Sequence, residues 1–72
     1  MDNQRLTKPL DAQRRARLFA LVQERREGAV VTRLGISRTA LMRALAGMPI
    51  YGGTRMAIEA GLEAIEKEGA NG

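Results

Sequence analysis

Four arginines, Arg33, Arg38, Arg43 and Arg55, lie in a stretch from Gly28 to Ile58 that contains no acidic residue. Among them stand Ser37, Thr39, Tyr51 and Thr54, whose hydroxyls both donate and accept hydrogen bonds. Guanidinium groups beside hydroxyls, with no carboxylate between them, suit the gripping of a polyanion. Arginine pairs bidentately with phosphate oxygens and with guanine O6 and N7. The same arginines would also keep a small domain soluble, and charge alone does not separate the two readings. Bond-making chemistry has far less to work with. Cysteine and histidine are both absent, which removes disulfides, Cys/His zinc sites, thiol nucleophiles and imidazole bases. Glu59, Glu63 and Glu66 fall on the solvent side of a helix, with nothing nearby to shift a carboxylate pKa. Glu63 also precedes Lys67 by four residues, a helix-stabilising pair. Neither an enzyme activity nor a metal or cofactor is expected.

Positioning those groups falls to a chain of 72 residues, enough for one domain. A chain of this size buries only about 60% of the surface its unfolded form exposes, so a barrel or a two-domain cleft is excluded. The charge is unevenly distributed. Twelve basic residues face eight acidic ones, for a net charge of +4 and an isoelectric point near 10.7. Past Ile58 the sign reverses, with Glu59, Glu63, Glu66 and Glu68 against Lys67. A basic middle suits nucleic acid as a partner. No apolar run approaches the roughly 18 residues of a membrane span. The opening Met1–Asp11 has no apolar stretch behind its charges, unlike a secretory signal. A cytoplasmic, nucleoid-associated protein is expected.

Punctuation at Pro9, Gly28, Gly35, Gly47 with Pro49, and Gly52-Gly53 cuts the chain into helical pieces and leaves no alternating strand pattern. The expected fold class is all-α, a small four-helix domain over residues 9–68. A flexible arm over 1–8 and a frayed end over 69–72 complete it. The first helix runs from about Pro9 or Asp11 to about Arg26, with Leu18, Leu21 and Val22 inward and Phe19 in the core beside them. The second spans about Ala29 to Leu34, with Val30 or Val31 and Leu34 inward, and ends at Gly35. The third is capped by Ser37 and runs to about Ala46, burying Leu41 and Leu45. The fourth is capped by Thr54 and runs to about Lys67 on a stripe of Ile58, Leu62 and Ile65. Beside that stripe, Ala57, Ala60, Gly61 and Ala64 let another helix come close, either the first helix of the same chain or a partner's.

The unit from Ala29 to Ala46 meets the demands of a helix-turn-helix. Gly35 reverses the chain, Ile36 plugs the angle between the helices, and Leu41 and Leu45 bury one face of the second helix. The other face carries Ser37, Arg38, Thr39, Met42, Arg43 and Ala46. A recognition helix presents such a face to base edges in the major groove. This segment resembles the helix-turn-helix of lambda-repressor-like (Cro/C1, Xre-type) regulators. The run Gly35-Ile36-Ser37-Arg38 through Gly47, with Thr54-Arg55 and Ile58 beyond, also resembles lac-repressor-family headpieces. The resemblance covers about half the chain, Ala29 to Ile65. It departs at Val31, where those families carry alanine, and at Met42, where they carry serine. A full first helix ahead of the motif fits the lambda-like plan better.

From this reading, Arg38, Thr39, Met42 and Arg43 are expected to contact bases. Arg33, Ser37, Tyr51, Gly53, Thr54 and Arg55 are expected to contact phosphates. Ser37 is a cap on either view, and the Tyr51-Gly52-Gly53 segment is either a phosphate cradle or a plain connector. Arg5 and Lys8 form an arm on DNA or a disordered terminus, and Arg14, Arg15 and Arg17 a solvated face. The expected function is a sequence-specific double-stranded DNA-binding transcriptional regulator, a repressor of phage or plasmid type. One recognition helix reads too few base pairs, so a homodimer on a palindromic operator is expected, with half-sites about 34 Å apart. Met48–Tyr51 and the small-residue strip are candidate dimer surfaces. The alternative is an antitoxin or other protein-interaction module that uses the same scaffold for a protein partner.

Overall fold

The computed structural model describes residues 5–71. Its order is β1 (Leu6–Pro9), α1 (Ala12–Arg25), α2 (Glu27–Leu34), α3 (Arg38–Leu45), β2 (Pro49–Tyr51) and α4 (Gly52–Asn71). The domain is mostly helical, with four helices among the described residues. The expected helical domain gains one feature, a small antiparallel ribbon of β1 and β2, in which Leu6 faces Tyr51 and Pro9 faces Pro49. Thr7 locks it by donating from Oγ1 to the Ile50 carbonyl at 2.7 Å. The two strands are too short to show more than one alternation, which lies in buried Ile50 between exposed Pro49 and Tyr51. From Leu6 the expected flexible arm is therefore a strand, while residues 1–4 lie outside the described ones.

Several helix ends have a local cause. Asp11 caps α1, its carboxylate accepting from the Arg14 N–H at 3.0 Å. Ser37 caps α3 in the same way, accepting from the Ala40 N–H at 3.0 Å. Gly35 closes α2 in the left-handed conformation (φ +70), where a Cβ is disfavoured. Gly47 (φ +75) closes α3, and the Met48 N–H reaches back to the Arg43 carbonyl at 3.0 Å. Helix α4 departs from expectation at both ends. It starts at Gly52, directly after β2, so Thr54 is its third residue and not its cap. It also runs through Gly69 to Asn71, past the expected stop near Lys67; a helix tolerates an internal glycine at about 1 kcal/mol. The expected frayed end is thus helical as far as it is described, and residue 72 lies outside.

The core is built from Leu10, Leu18, Leu21, Val30, Leu34, Leu41, Ala44, Ile50, Ile58 and Leu62, all buried. Val22, Val31, Ile36, Leu45 and Ile65 pack partly buried around it. Phe19 corrects the expectation of a core phenylalanine: it is 52% exposed, off the Leu18–Leu21 stripe, on a shallow patch with Ala16 and Leu45. Gly61 is the close-approach point of the small-residue strip. A Cβ there would collide with the side chain of Leu34, so at Gly61 the strip meets α2 of its own chain, while Ala60 lines a cleft shared with Arg14 and Arg17 of α1.

Two expected results follow from these helix boundaries. Arg26 joins α1 to α2 at φ 73 and ψ 155, a region that residues with a Cβ rarely occupy. Arg26→Gly is expected to stabilise the domain by about 1 kcal/mol, seen as a thermal midpoint higher by roughly 4–8 °C. An unchanged or lower midpoint would mean that the junction is unstrained. At the start of α1, the Arg14 N–H holds the Asp11 carboxyl below its ordinary value of 3.8, helped by the Arg14 guanidinium. A lowered folded-state pKa gives stability that is present above the unfolded value and is lost as pH falls through the folded one. Asparagine caps about as well and does not titrate. The thermal-midpoint advantage of the parent over Asp11→Asn is therefore expected to shrink on acidification below 3.8. A difference independent of pH would contradict this.

Candidate nucleic-acid interface

Two rows of side chains run along the outward face of α3. Thr39 and Arg43, four residues apart, form one row. Arg38 and Met42 form the next. Thr39 is exposed, Met42 is 40% exposed and the Arg38 side chain is 72% exposed. Arg43 is half-buried, donating from Nε and Nη2 to the Pro49 carbonyl at 3.4 Å. That contact sets it against the ribbon, with its charge still on the α3 side.

The first row opens into a groove of about 290 Å³ lined by Ser37, Thr39, Ala40, Arg43, Ile50, Tyr51 and Thr54. Five residues singled out from the sequence, Ser37, Thr39, Arg43, Tyr51 and Thr54, are thus brought together from α3, β2 and α4. Gly53 is half-buried next to Thr54, in the first turn of α4. The first turns of α3 and α4 both border this groove, and the free N–H groups of a helix start favour negative charge. No carboxylate lines it. Its fit to a phosphate is chemical: hydroxyl donors, one guanidinium and two helix starts. Sequence reasoning missed Ala40 and Ile50 as lining residues. Ile50 stood within the Met48–Tyr51 segment expected at a dimer surface, and the structure buries it.

Other expected contacts lie elsewhere. Arg33 pairs with Glu68 near the end of α4 and does not reach the groove. Arg55, expected at a phosphate, has its guanidinium engaged by the protein itself. Nε and Nη2 donate to Thr7 Oγ1 at 3.3 Å, Nη2 also donates to the Lys8 and Pro9 carbonyls, and Nη1 lies 3.9 Å from Glu59. Its side chain is only 25% exposed. Arg55 thus ties β1 to α4. Arg38 has a partner that sequence reasoning also missed, Glu27 at the start of α2, with Nε 2.6 Å from Oε1. Eleven residues of separation hide that pairing until α2 and α3 are folded against each other.

A larger cleft, about 500 Å³, lies between α1 and α4. Arg14 and Arg17 line it from one side and Glu59, Glu63 and Glu66 from the other, around Met56, Ala60 and Leu62. Arg17 and Glu66 pair across it. Three carboxylates give this cleft the wrong charge for a phosphate backbone. Among the described residues no helix is long and apolar enough to cross a membrane. No protein-family model, curated protein or solved structure matches the chain.

Proposed function

We propose that this chain is a sequence-specific duplex-DNA-binding regulator, in which α2 and α3 act as a helix-turn-helix and α3 enters the major groove. The observation that carries this reading is the carboxylate-free groove at the start of α3, together with the exposed Arg38, Thr39 and Met42 beside it. Arg38 and Arg43 supply charge, and Arg38, Thr39 and Met42 face the base edges, where a methionine packs on a thymine methyl. Ser37, Tyr51 and Thr54 hold a phosphate against the first turns of α3 and α4. Specificity requires more base pairs than one short helix reads, so the working unit is a homodimer on an inverted repeat.

Selection from a pool of random duplexes tests this. The expected product is an enriched half-site repeated with two-fold symmetry at about 34 Å. Arg38→Ala is expected to lose preference at one position of the half-site, whereas Tyr51→Phe weakens all sequences alike. No enrichment, together with no retention on DNA at low salt, would overturn the reading.

The α1–α4 cleft favours a second reading, a protein-interaction module of antitoxin type. Met56 stands 62% exposed in that cleft among side chains of both charges. Such a module would bind its partner there and leave α3 untouched by DNA.

A further inference from the structure

We infer that Glu27 is a positioning residue that fixes which base Arg38 reads; this rests on the DNA-binding function proposed above. The pair joins the first residue of α2 to the first residue of α3, with Arg38 Nε 2.6 Å from Glu27 Oε1. Among the described residues, neither terminal amino group of Arg38 donates a hydrogen bond to the protein. Those two nitrogens can together meet guanine O6 and N7. Glu27 therefore pairs with the guanidinium at Nε and leaves its two terminal amino groups free.

Stability does not account for the pair. The side chains are 72% and 35% exposed, and exposed ion pairs contribute little to folding. Arginine carries large rotamer freedom, which a base contact must freeze. A carboxylate on a neighbouring packed helix freezes part of it in advance, and such preorganisation favours binding. Its charge also acts against the wrong partner. Near the DNA backbone a carboxylate is repelled by phosphate, so Arg38 is kept from a sequence-independent phosphate contact. The same negative charge at the first turn of α2 is favoured by that helix's own N–H groups. Glu27 is thereby held in place whether or not DNA is bound.

The experiment combines selection from random duplexes with competition binding on the full chain, for the parent, Glu27→Gln, Arg38→Ala and the double variant. Arg38→Ala identifies the position that Arg38 reads. At that position alone, Glu27→Gln is expected to lower the preference for guanine about tenfold. Affinity for random duplex is expected to rise a few-fold, as the repulsive charge is removed. In the Arg38→Ala background, Glu27→Gln is expected to leave base preference unchanged, since coupled residues are not additive. Glu27→Asp, which keeps the charge but shortens the reach, provides a second variant and is expected to show the same selective loss. Full guanine preference in Glu27→Gln and Glu27→Asp, or equal loss at every position, would overturn the inference while leaving the DNA reading intact. A parent protein that enriches no sequence would remove both.

Discussion

Leu41→Ala is expected to cost about 3 kcal/mol. Leu41 has no exposed surface and lies among the largest fully buried side chains, with Leu18, Ile50, Ile58 and Val30. With Ala44 it anchors α3 to the core. Truncation removes buried methyl groups and leaves a cavity that a small domain closes only in part. A chain of this length has a total stability on the order of 5 kcal/mol, so the loss takes most of it. Urea unfolding is expected to show a midpoint lowered by more than half, at nearly unchanged slope. A loss under about 1 kcal/mol would mean that α3 is not seated on a packed core. DNA binding should fail together with folding, because the outward face of α3 is positioned by the packing of its inward one.

Gly61→Val is the second large effect. A Cβ at Gly61 would drive into the Leu34 side chain, with Leu34 Cγ at 3.4 Å and the Leu34 Cα at 3.9 Å. Leu34 is itself buried, so it has little room to move aside. Overpacking of this kind costs roughly 1–3 kcal/mol. Even Gly61→Ala is expected to destabilise, although alanine gains up to about 1 kcal/mol in helix propensity. Gly28 is the control: it also lies in a helix, and a Cβ there meets nothing within 4 Å. Gly28→Ala is therefore expected to stabilise by a fraction of that propensity difference. Thermal melts of the three variants decide the matter. Equal effects at Gly28 and Gly61 would show that α2 and α4 do not approach closely.

The parts of the fold that were legible in the sequence are those governed by short-range rules. Gly35 and Gly47 take positive φ because each follows a helix end, and Ser37 caps because its hydroxyl reaches the Ala40 N–H. Leu18, Leu41, Ile58 and Leu62 are buried because helical spacing puts them on inward faces. What escaped depends on contacts between distant segments. The ribbon holds through Thr7 and Ile50, 43 residues apart. Arg55 serves that ribbon, and nothing in its neighbours' types distinguishes it from a surface cation. Phe19 lies one helical step from the stripe, where periodicity alone does not tell the rim of a core from its interior. At the candidate site the sequence located Ser37, Thr39, Arg43, Tyr51 and Thr54, which meet in one groove. It gave no sign of Glu27 behind Arg38, because that pairing exists only once α2 and α3 are packed together.

Whether the outward face of α3 enters a duplex is read from amide chemical-shift mapping with a selected duplex. The largest shifts are expected at residues 37–43 and 51–54, weakening as salt is raised, with Met56 and Ala60 unmoved. Shifts confined to the α1–α4 cleft, or a spectrum unchanged by DNA at low salt, would contradict that placement.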